Sequence, residues 1–457
     1  MIGLTNPPEI QLQPGQRFFC MWPWETVTLM SDGSIVCGCA DPYKRRPAGN
    51  AAMLSIREIW QGSVFQELRR GLQRNNPHLC THCNLIGVVS DPAIKHPEET
   101  IPSYMPRRLF VEPCVSCNLS CYKACCNHEN GIHFTRSVRL LNYDTFTKVI
   151  DELGSGLQRI DFFNYGESFI HPKAIDMIRY VKTNHPHVYM FTSTNGLLLN
   201  TEAKLRGLVE SGIDEITFSI DGARQESYVQ YRRGGDFDKL MKIMKRLTEI
   251  KRELKSDTPF VNWRYILFRW NDTDEEMNLA RKLAADLDID RLCWEITDHP
   301  EDSASLRFVP GTPEYERIRF EIWDRALGNA ITHKNLRASI EPRNKIWKAK
   351  AGTDFEAKVA LQNSGGGTWK NVSITNRRHI TLGLQLMDQN KNMLNRDFSR
   401  ALLPKPLSSG EALELAIRAK APQNRGSYWL KLDMVCEGFE WFESCGSPTA
   451  LTRLQVI

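Results

Sequence analysis

Five cysteines fall within thirteen residues of this chain: Cys114-Val-Ser-Cys117-Asn-Leu-Ser-Cys121-Tyr-Lys-Ala-Cys125-Cys126. They follow directly on the apolar run Leu109-Phe110-Val111. Thiols this dense on one loop cannot all be packing residues. They pair as disulfides, hold zinc, or hold an iron–sulfur cluster.

The disulfide reading fits poorly. Ten of the thirteen cysteines lie in the first 126 residues, which is clustering rather than a framework spread over a fold. The N-terminal Met-Ile-Gly-Leu-Thr-Asn-Pro-Pro has neither a basic segment nor an apolar one, so it does not read as a secretion signal. With 457 residues the chain can bury a core without covalent staples. A reducing cytoplasm with metal-bound thiolates is the expectation. A net charge of +5 and no long basic block argue against a nucleic-acid partner. No run approaches the roughly 18 apolar residues of a membrane span.

Length and changes of pattern divide the chain into parts. Residues 1–105 are cysteine-bearing and rich in turns. Val27-Thr28-Leu29, the turn Ser31-Asp32-Gly33 and Ile35-Val36 read as a hairpin leading into Cys37-Gly38-Cys39. The spacing of Ile56, Ile59, Trp60, Phe65 and Leu68 predicts one helix from Ser55 to about Leu72, ahead of Cys80-Thr-His-Cys83. Residues 106–300 alternate strand and helix. Strands are expected at Leu109–Val111, Ile160–Asn164, Val188–Thr192, Glu215–Ile220, Val261–Phe268 and Leu292–Ile296. Helices are expected at Tyr143–Leu153, Lys173–Asn184, Glu202–Ser211, Phe237–Leu254 and Asp274–Leu287. The short apolar strands suit a parallel sheet buried on both faces. Six such units point to an α/β fold, a partial (βα)6 TIM-like barrel with functional residues at the carboxyl ends of its strands. Residues 301–349 read as a helical connector. From 350 to 457 the pattern alternates, as in Phe355–Leu361, Ala412–Ile417 and Tyr428–Met434, and predicts a β-sandwich.

Spacing alone leaves the metal open. Cys114-Val-Ser-Cys117 could form half of a closed zinc site, whereas three thiols wrapped around a cluster leave one iron free for a small molecule. The downstream strand ends shift the balance. The sequence resembles the radical SAM superfamily on five elements in order. Cys117-Asn-Leu-Ser-Cys121-Tyr, with Glu112-Pro113 ahead of it, is similar to the start of the CxxxCxxC signature. Tyr165-Gly166-Glu167 resembles the Gly-Gly-Glu motif that binds the SAM amino group. Ser193-Thr194-Asn195-Gly196 resembles the Thr-Asn-Gly turn, and Ser219-Ile220-Asp221-Gly222 the Ser-Ile-Asp-Gly motif. Tyr231-Arg232-Arg233-Gly234-Gly235-Asp236-Phe237 resembles the Arg-Gly-Gly-Phe element. The spacing departs from the signature at its third thiol. Cys125 gives CxxxCxxxC and Cys126 a still longer interval, with Cys125 the nearer match. Cys114 reads as buried.

Cys20-Met-Trp-Pro-Trp, Asp32-Gly33-Ser-Ile-Val-Cys37-Gly-Cys39, Ile59-Trp60-Gln-Gly62 and Cys80-Thr-His-Cys83 resemble a SPASM/Twitch segment, placed here ahead of the barrel. The resemblance implies one auxiliary cluster on Cys20, Cys37 or Cys39, Cys80 and Cys83. Four thiolates alone would also suit zinc. Residues after 400, including Leu403-Pro-Lys-Pro406 and Glu437-Gly-Phe-Glu-Trp441, resemble Ig-like domains appended to some bacterial glycan-processing proteins.

These resemblances imply a chemistry. Cys117, Cys121 and Cys125 would hold a [4Fe–4S] cluster whose open iron takes S-adenosylmethionine. Reductive cleavage would yield a 5′-deoxyadenosyl radical that takes hydrogen from a small-molecule, sugar or peptide substrate. Gly166, Glu167, Asn195, Ser219 and Asp221 would line the SAM pocket. A flavodoxin or ferredoxin would supply the electron, and the auxiliary iron–sulfur cluster would assist. The alternative is a zinc-stapled, non-catalytic scaffold or binding protein. Trp22, Trp24 and Trp60 read as core, and Cys293 as an inert thiol on a buried strand.

Overall fold

The computed structural model describes residues 12–38, 41–80, 83, 85–90, 95–123, 131–256, 258–309, 311–318, 321–322, 336–365, 369, 371, 379–408, 410–437 and 440–457. The chain divides into two compact units, residues 1–316 and 317–457.

The first unit is built on a nine-stranded sheet. Six of its strands lie side by side in chain order: Arg108–Val111, Arg159–Asp161, Tyr189–Thr194, Glu215–Ser219, Phe260–Leu267 and Arg291–Ile296. All five pairings between them are parallel. Among these six the order never reverses; in the whole sheet it reverses between Thr26–Leu29 and Arg108–Val111, with the strands of the cysteine-bearing region on the far side. A helix follows each of the first five strands, within a residue or two of the expected bounds: Tyr143–Leu153, Ala174–Asn184, Glu202–Glu210, Phe237–Glu253 and Asp274–Asp286. Four of these start at a side-chain cap. Asn142, Thr201, Asp236 and Thr273 each accept the backbone N–H three residues on, which satisfies one of the orphan donors of the first turn. A short helix at Gln225–Tyr231 was not foreseen.

The strands are not apolar on both faces. Leu109, Ile160, Met190, Ile216 and Val261 are fully buried. The residues alternating with them carry charge and polarity. Asp161 accepts from Arg108 at 2.6 Å and Arg159 at 2.7 Å. Asn262 donates to Glu215 at 2.5 Å, and the Tyr189 hydroxyl bonds the same carboxylate. Pairing makes burial of these groups tolerable.

The cysteine-bearing N-terminal region shares this sheet. Thr26–Leu29 runs parallel to Arg108–Val111, pairing Thr26 with Arg108 and Leu29 with Val111. Ser34–Val36 and then Gly49–Asn50 continue the sheet antiparallel. The single helix expected over Ser55–Leu72 is two helices, Ile56–Trp60 and Ser63–Gln73. They break at Gly62, where a β-carbon would stand 2.9 Å from the Glu58 carbonyl oxygen. Trp24 and Trp60 are buried core, as read, and Trp22 is half-buried. Among the described residues no helix is long and apolar enough to cross a membrane.

The segment expected as a helical connector contains a helix at Pro313–Ile318 but also strands Ala338–Pro342 and Ile346–Ala349. These belong to the second unit, because pairing with Asp354–Asn363 and Ala450–Val456 overrides their short, polar pattern. That unit has two sheets. One runs in the order Ala338–Pro342, Asp354–Asn363, Ala412–Lys420. The other runs Ile346–Ala349, Ala450–Val456, Gly426–Cys436, Ile380–Met387, Met393–Leu402. Val359, Leu361 and Ile417 of the first sheet share one core with Leu382, Leu384, Leu432 and Leu454 of the second.

Asp433 lies fully buried on the strand Gly426–Cys436. Burial pushes its carboxyl up to about 7 from 3.8, with Glu443 adding to the rise and two backbone N–H bonds opposing it. A folded value above the unfolded one means the native state holds the proton longer. The stability that this carboxyl contributes is therefore fully present below about 4, falls as pH rises to about 7, then levels. Asp433→Asn is expected to remove that slope and raise stability at pH 8 by about 1–3 kcal/mol. Denaturant midpoints of the full chain between pH 5 and 8 measure it; an unchanged slope contradicts it.

Candidate active site

Immediately after the first parallel strand, the Glu112 carboxylate is fully buried and takes a two-pronged bond from Arg136, at 2.8 and 2.9 Å. It also accepts from Ser31 N and Asn164 Nδ2, both at 3.2 Å. The cysteine loop therefore leaves the strand from a fixed base. Cys114 is buried, as expected, and burial pushes its thiol up to about 11. Cys117 Sγ accepts from Leu119 N at 3.5 Å and from Asn195 Nδ2 at 3.8 Å. Cys121 Sγ accepts from Arg232 at 3.6 Å. The loop is tied down by its backbone: Ser120 N donates to Arg233 O at 3.0 Å and Tyr122 N to Tyr231 O at 2.8 Å. Cys125 and Cys126 lie outside the described residues.

The ends of the next strands meet this loop. Gly166 has φ +88°, and a β-carbon there would lie 2.4 Å from the Cys114 carbonyl oxygen. Glycine allows that approach. Glu167 N then donates to Ser116 O at 2.8 Å. The Glu167 carboxylate accepts from Thr194 Oγ1 at 2.7 Å, Asn195 N at 2.8 Å and Phe169 N at 3.2 Å. Burial raises its pKa, with those three bonds opposing the rise. Asn195 also donates to Asn118 at 2.9 Å. Gly166, Glu167, Asn195, Cys117 and Cys121 thus form one constellation.

Ser219 and Asp221 stand further round the strand ends. Ser219 Oγ lies 3.3 Å from Ser193 Oγ and accepts from Arg264 at 3.0 Å. Asp221 accepts from Ile266 N at 2.7 Å and from Arg232 Nε at 2.5 Å. Its carboxylate aims Arg232 at the cysteine loop. The sequence reading noted Arg232 only as part of a Gly-rich element and missed Arg136 and Arg264. Arg232 had a local signal in its motif. Arg136 had none, because its partner lies 24 residues earlier.

The second set of thiols meets at a separate cavity. Cys20, Cys37, Cys80 and Cys83 line one cavity, walled also by Trp22 and Pro42. All four are unpaired thiols. Burial pushes Cys20 and Cys80 up to about 12 and raises Cys37 and Cys83, and neighbouring thiols of the set add to the rise at Cys20, Cys37 and Cys80. Four thiols facing one cavity are a donor set that a cationic centre could take as thiolates. Cys39 and His82 lie outside the described residues. Among those described, no group of three or more His, Cys, Asp or Glu side chains is already arranged to hold a single metal ion.

Residues 111–286 match the radical SAM superfamily. The matched region belongs to that superfamily. Residues 20–84 match an iron–sulfur cluster-binding domain, SPASM, so this radical SAM enzyme carries its auxiliary domain ahead of the main one. A tungsten-containing aldehyde ferredoxin oxidoreductase cofactor-modifying protein of Pyrococcus furiosus is 35% identical over 118 residues, covering 25% of this chain and 30% of that protein. A probable GTP 3′,8-cyclase of Methanococcus maripaludis is 27% identical over 220 residues, covering 47% of this chain and 63% of that protein. The chain thus spans less than two thirds of either relative. Among solved structures, methylornithine synthase aligns at 16% identity and TM-score 0.31, over 41% of this chain and 52% of its own.

Gly166→Ala is expected to displace the cysteine loop and lower the iron retained after anaerobic reconstitution. Gly212→Ala is the control. Its φ of +77° is similar, but the nearest atom to a β-carbon lies 3.5 Å away, so only backbone strain of about 1–2 kcal/mol applies. Equal iron content in the two variants contradicts the close-approach argument.

Proposed function

We propose that the chain cleaves S-adenosylmethionine reductively and uses the 5′-deoxyadenosyl radical to take a hydrogen atom from a peptide or carbohydrate-type substrate. The observation that carries this reading is the meeting of Cys117, Cys121, Glu167, Asn195 and Arg232 at the carboxyl ends of parallel strands. Asn195 touches Cys117 with its side chain and Glu167 with its backbone. In this reading Cys117, Cys121 and Cys125 hold the SAM-binding [4Fe–4S] cluster, and Cys20, Cys37, Cys80 and Cys83 hold an auxiliary one. When bound, the clusters supply the electron that splits the sulfonium and a second redox centre.

The protein's own residues position and shield. The two Glu167 oxygens offer about four acceptor sites, and three are used. The remaining one suits the SAM ammonium, whose charge offsets the burial that raises the Glu167 pKa. Arg232 keeps one buried NH2 without a hydrogen-bond partner, which suits the SAM carboxylate. Asp221 acts through Arg232. Gly166 brings the glutamate loop onto the cysteine loop, and Asn195 and Ser219 line the pocket.

Six parallel strands in unbroken order support a partial (βα)6 barrel over residues 106–300. Residues 1–105 are then the auxiliary-cluster module. The two sheets of the second unit support an Ig-like sandwich that begins at Ala338, since the parallel pairing of Ile346–Ala349 with Ala450–Val456 moves a leading strand onto the other sheet. A flavodoxin or ferredoxin is the electron donor, and the unpaired thiols suit a reducing cytoplasm.

Anaerobic protein reduced in the presence of SAM is expected to form 5′-deoxyadenosine. Cys117→Ala, Cys121→Ala and Cys125→Ala abolish it, and Cys126→Ala does not. Glu167→Gln weakens SAM binding by about tenfold or more. Wild-type product yield from Cys121→Ala, or zinc-loaded protein without 5′-deoxyadenosine, contradicts the reading.

A further inference from the structure

Arg136 touches the walls of both thiol sites. Its Nε and one terminal nitrogen bind the Glu112 carboxylate, at the base of the Cys117–Cys121 loop. Its other terminal nitrogen donates to Pro42 O at 2.8 Å. Pro42 is part of the wall around Cys20, Cys37, Cys80 and Cys83. Both charged side chains are completely buried, so the guanidinium cannot relax into solvent if either wall moves.

Further bonds make this a joint. Ser31 N donates to Glu112, and Ser31 Oγ donates to Val138 O at 3.0 Å. Asp32, in the same turn, accepts from Ser137 N at 3.3 Å and pairs with Lys44 at 2.5 Å. The stretch following the cluster loop is thus stitched to the segment that closes the other cavity. Asn164, two residues before Gly166, completes the set by donating to Glu112.

We propose that Arg136 is a positioning residue that couples the two sites, so that filling the Cys20/Cys37/Cys80/Cys83 site strengthens SAM binding at the Cys117/Cys121 loop. The inference rests on the function proposed above. Filling the four-thiol cavity fixes Pro42, Pro42 O fixes the guanidinium, and the guanidinium fixes Glu112 and the loop that starts after it. Linkage makes the effect reciprocal: SAM bound at one site tightens retention at the other. Lysine at position 136 keeps a charge for Glu112 but lacks the planar fork needed to reach Pro42 O as well.

The test compares SAM affinity, read from the change in the reduced cluster's electron paramagnetic resonance spectrum, in four full-length proteins: wild type, Cys80→Ala/Cys83→Ala, Arg136→Lys, and the combination. Emptying the auxiliary site is expected to weaken SAM binding by about fivefold or more, within the usual span of coupled sites. Arg136→Lys weakens it similarly, and the combination is no weaker than either alone. An auxiliary-site variant that binds SAM like wild type, or effects that multiply in the combination, overturns the coupling. Iron content and thermal midpoint of Arg136→Lys separate a folding defect from uncoupling. If it fails to hold iron at all, Lys44→Ala, which breaks the Asp32 ion pair of the segment that carries Pro42 at a partly exposed site, replaces it with the same outcomes. A wild-type protein that binds no SAM defeats the proposed function instead.

Discussion

The parallel pairing of Thr26–Leu29 with Arg108–Val111 is the constraint on which the first unit depends. Arg108–Val111 is the first of six parallel strands, and its other edge would otherwise present unpaired backbone groups. The N-terminal hairpin covers that edge. The same strand then runs directly into Glu112, Cys114 and the cluster loop. Its opposite side contacts the auxiliary cavity, where Trp22 stacks on Phe110 with ring centres 5.3 Å apart. One four-residue strand thereby fixes both thiol sites relative to a single sheet.

The charges in this sheet follow one logic. Glu112 with Arg136, Asp161 with Arg108 and Arg159, and Asp221 with Arg232 are all buried acids met by guanidinium groups. Such pairs add little net stability over apolar packing, yet losing one partner strands a buried charge at a cost of about 3–5 kcal/mol. Their value here is directional. A planar fork sets the angle of each loop that carries a thiol or a strand-end carboxylate. The glycine at 166 and the carboxylate at 167 then stand where the cysteine loop can be met.

Much of this was legible in the sequence because it is local. Helical patterns placed the helices of the sheet region to within a residue or two, and the strand-end motifs singled out Glu167, Asn195 and Asp221. What escaped was non-local or opposed to local pattern. The break falls at Gly62, where the backbone turns extended and a β-carbon would crowd the Glu58 and Ile59 carbonyls, which helical spacing does not register. The polar face of the parallel strands was hidden because each strand is short and its apolar residues dominate. The strands at 338–349 look polar, and only their distant partners make them strands. Arg136 was invisible because the partners that give it its place, Glu112 and Pro42, are 24 and 94 residues away.

On the proposed function, two separate sets of thiols on one sheet hold two iron–sulfur clusters, one of which binds SAM. Mössbauer spectroscopy of anaerobically prepared, iron-57-enriched protein tests it most directly. The account expects about eight irons per chain in two cubane environments, with SAM altering one iron of one cluster and leaving the other unchanged. About four irons with stoichiometric zinc, or two clusters that both ignore SAM, would contradict it.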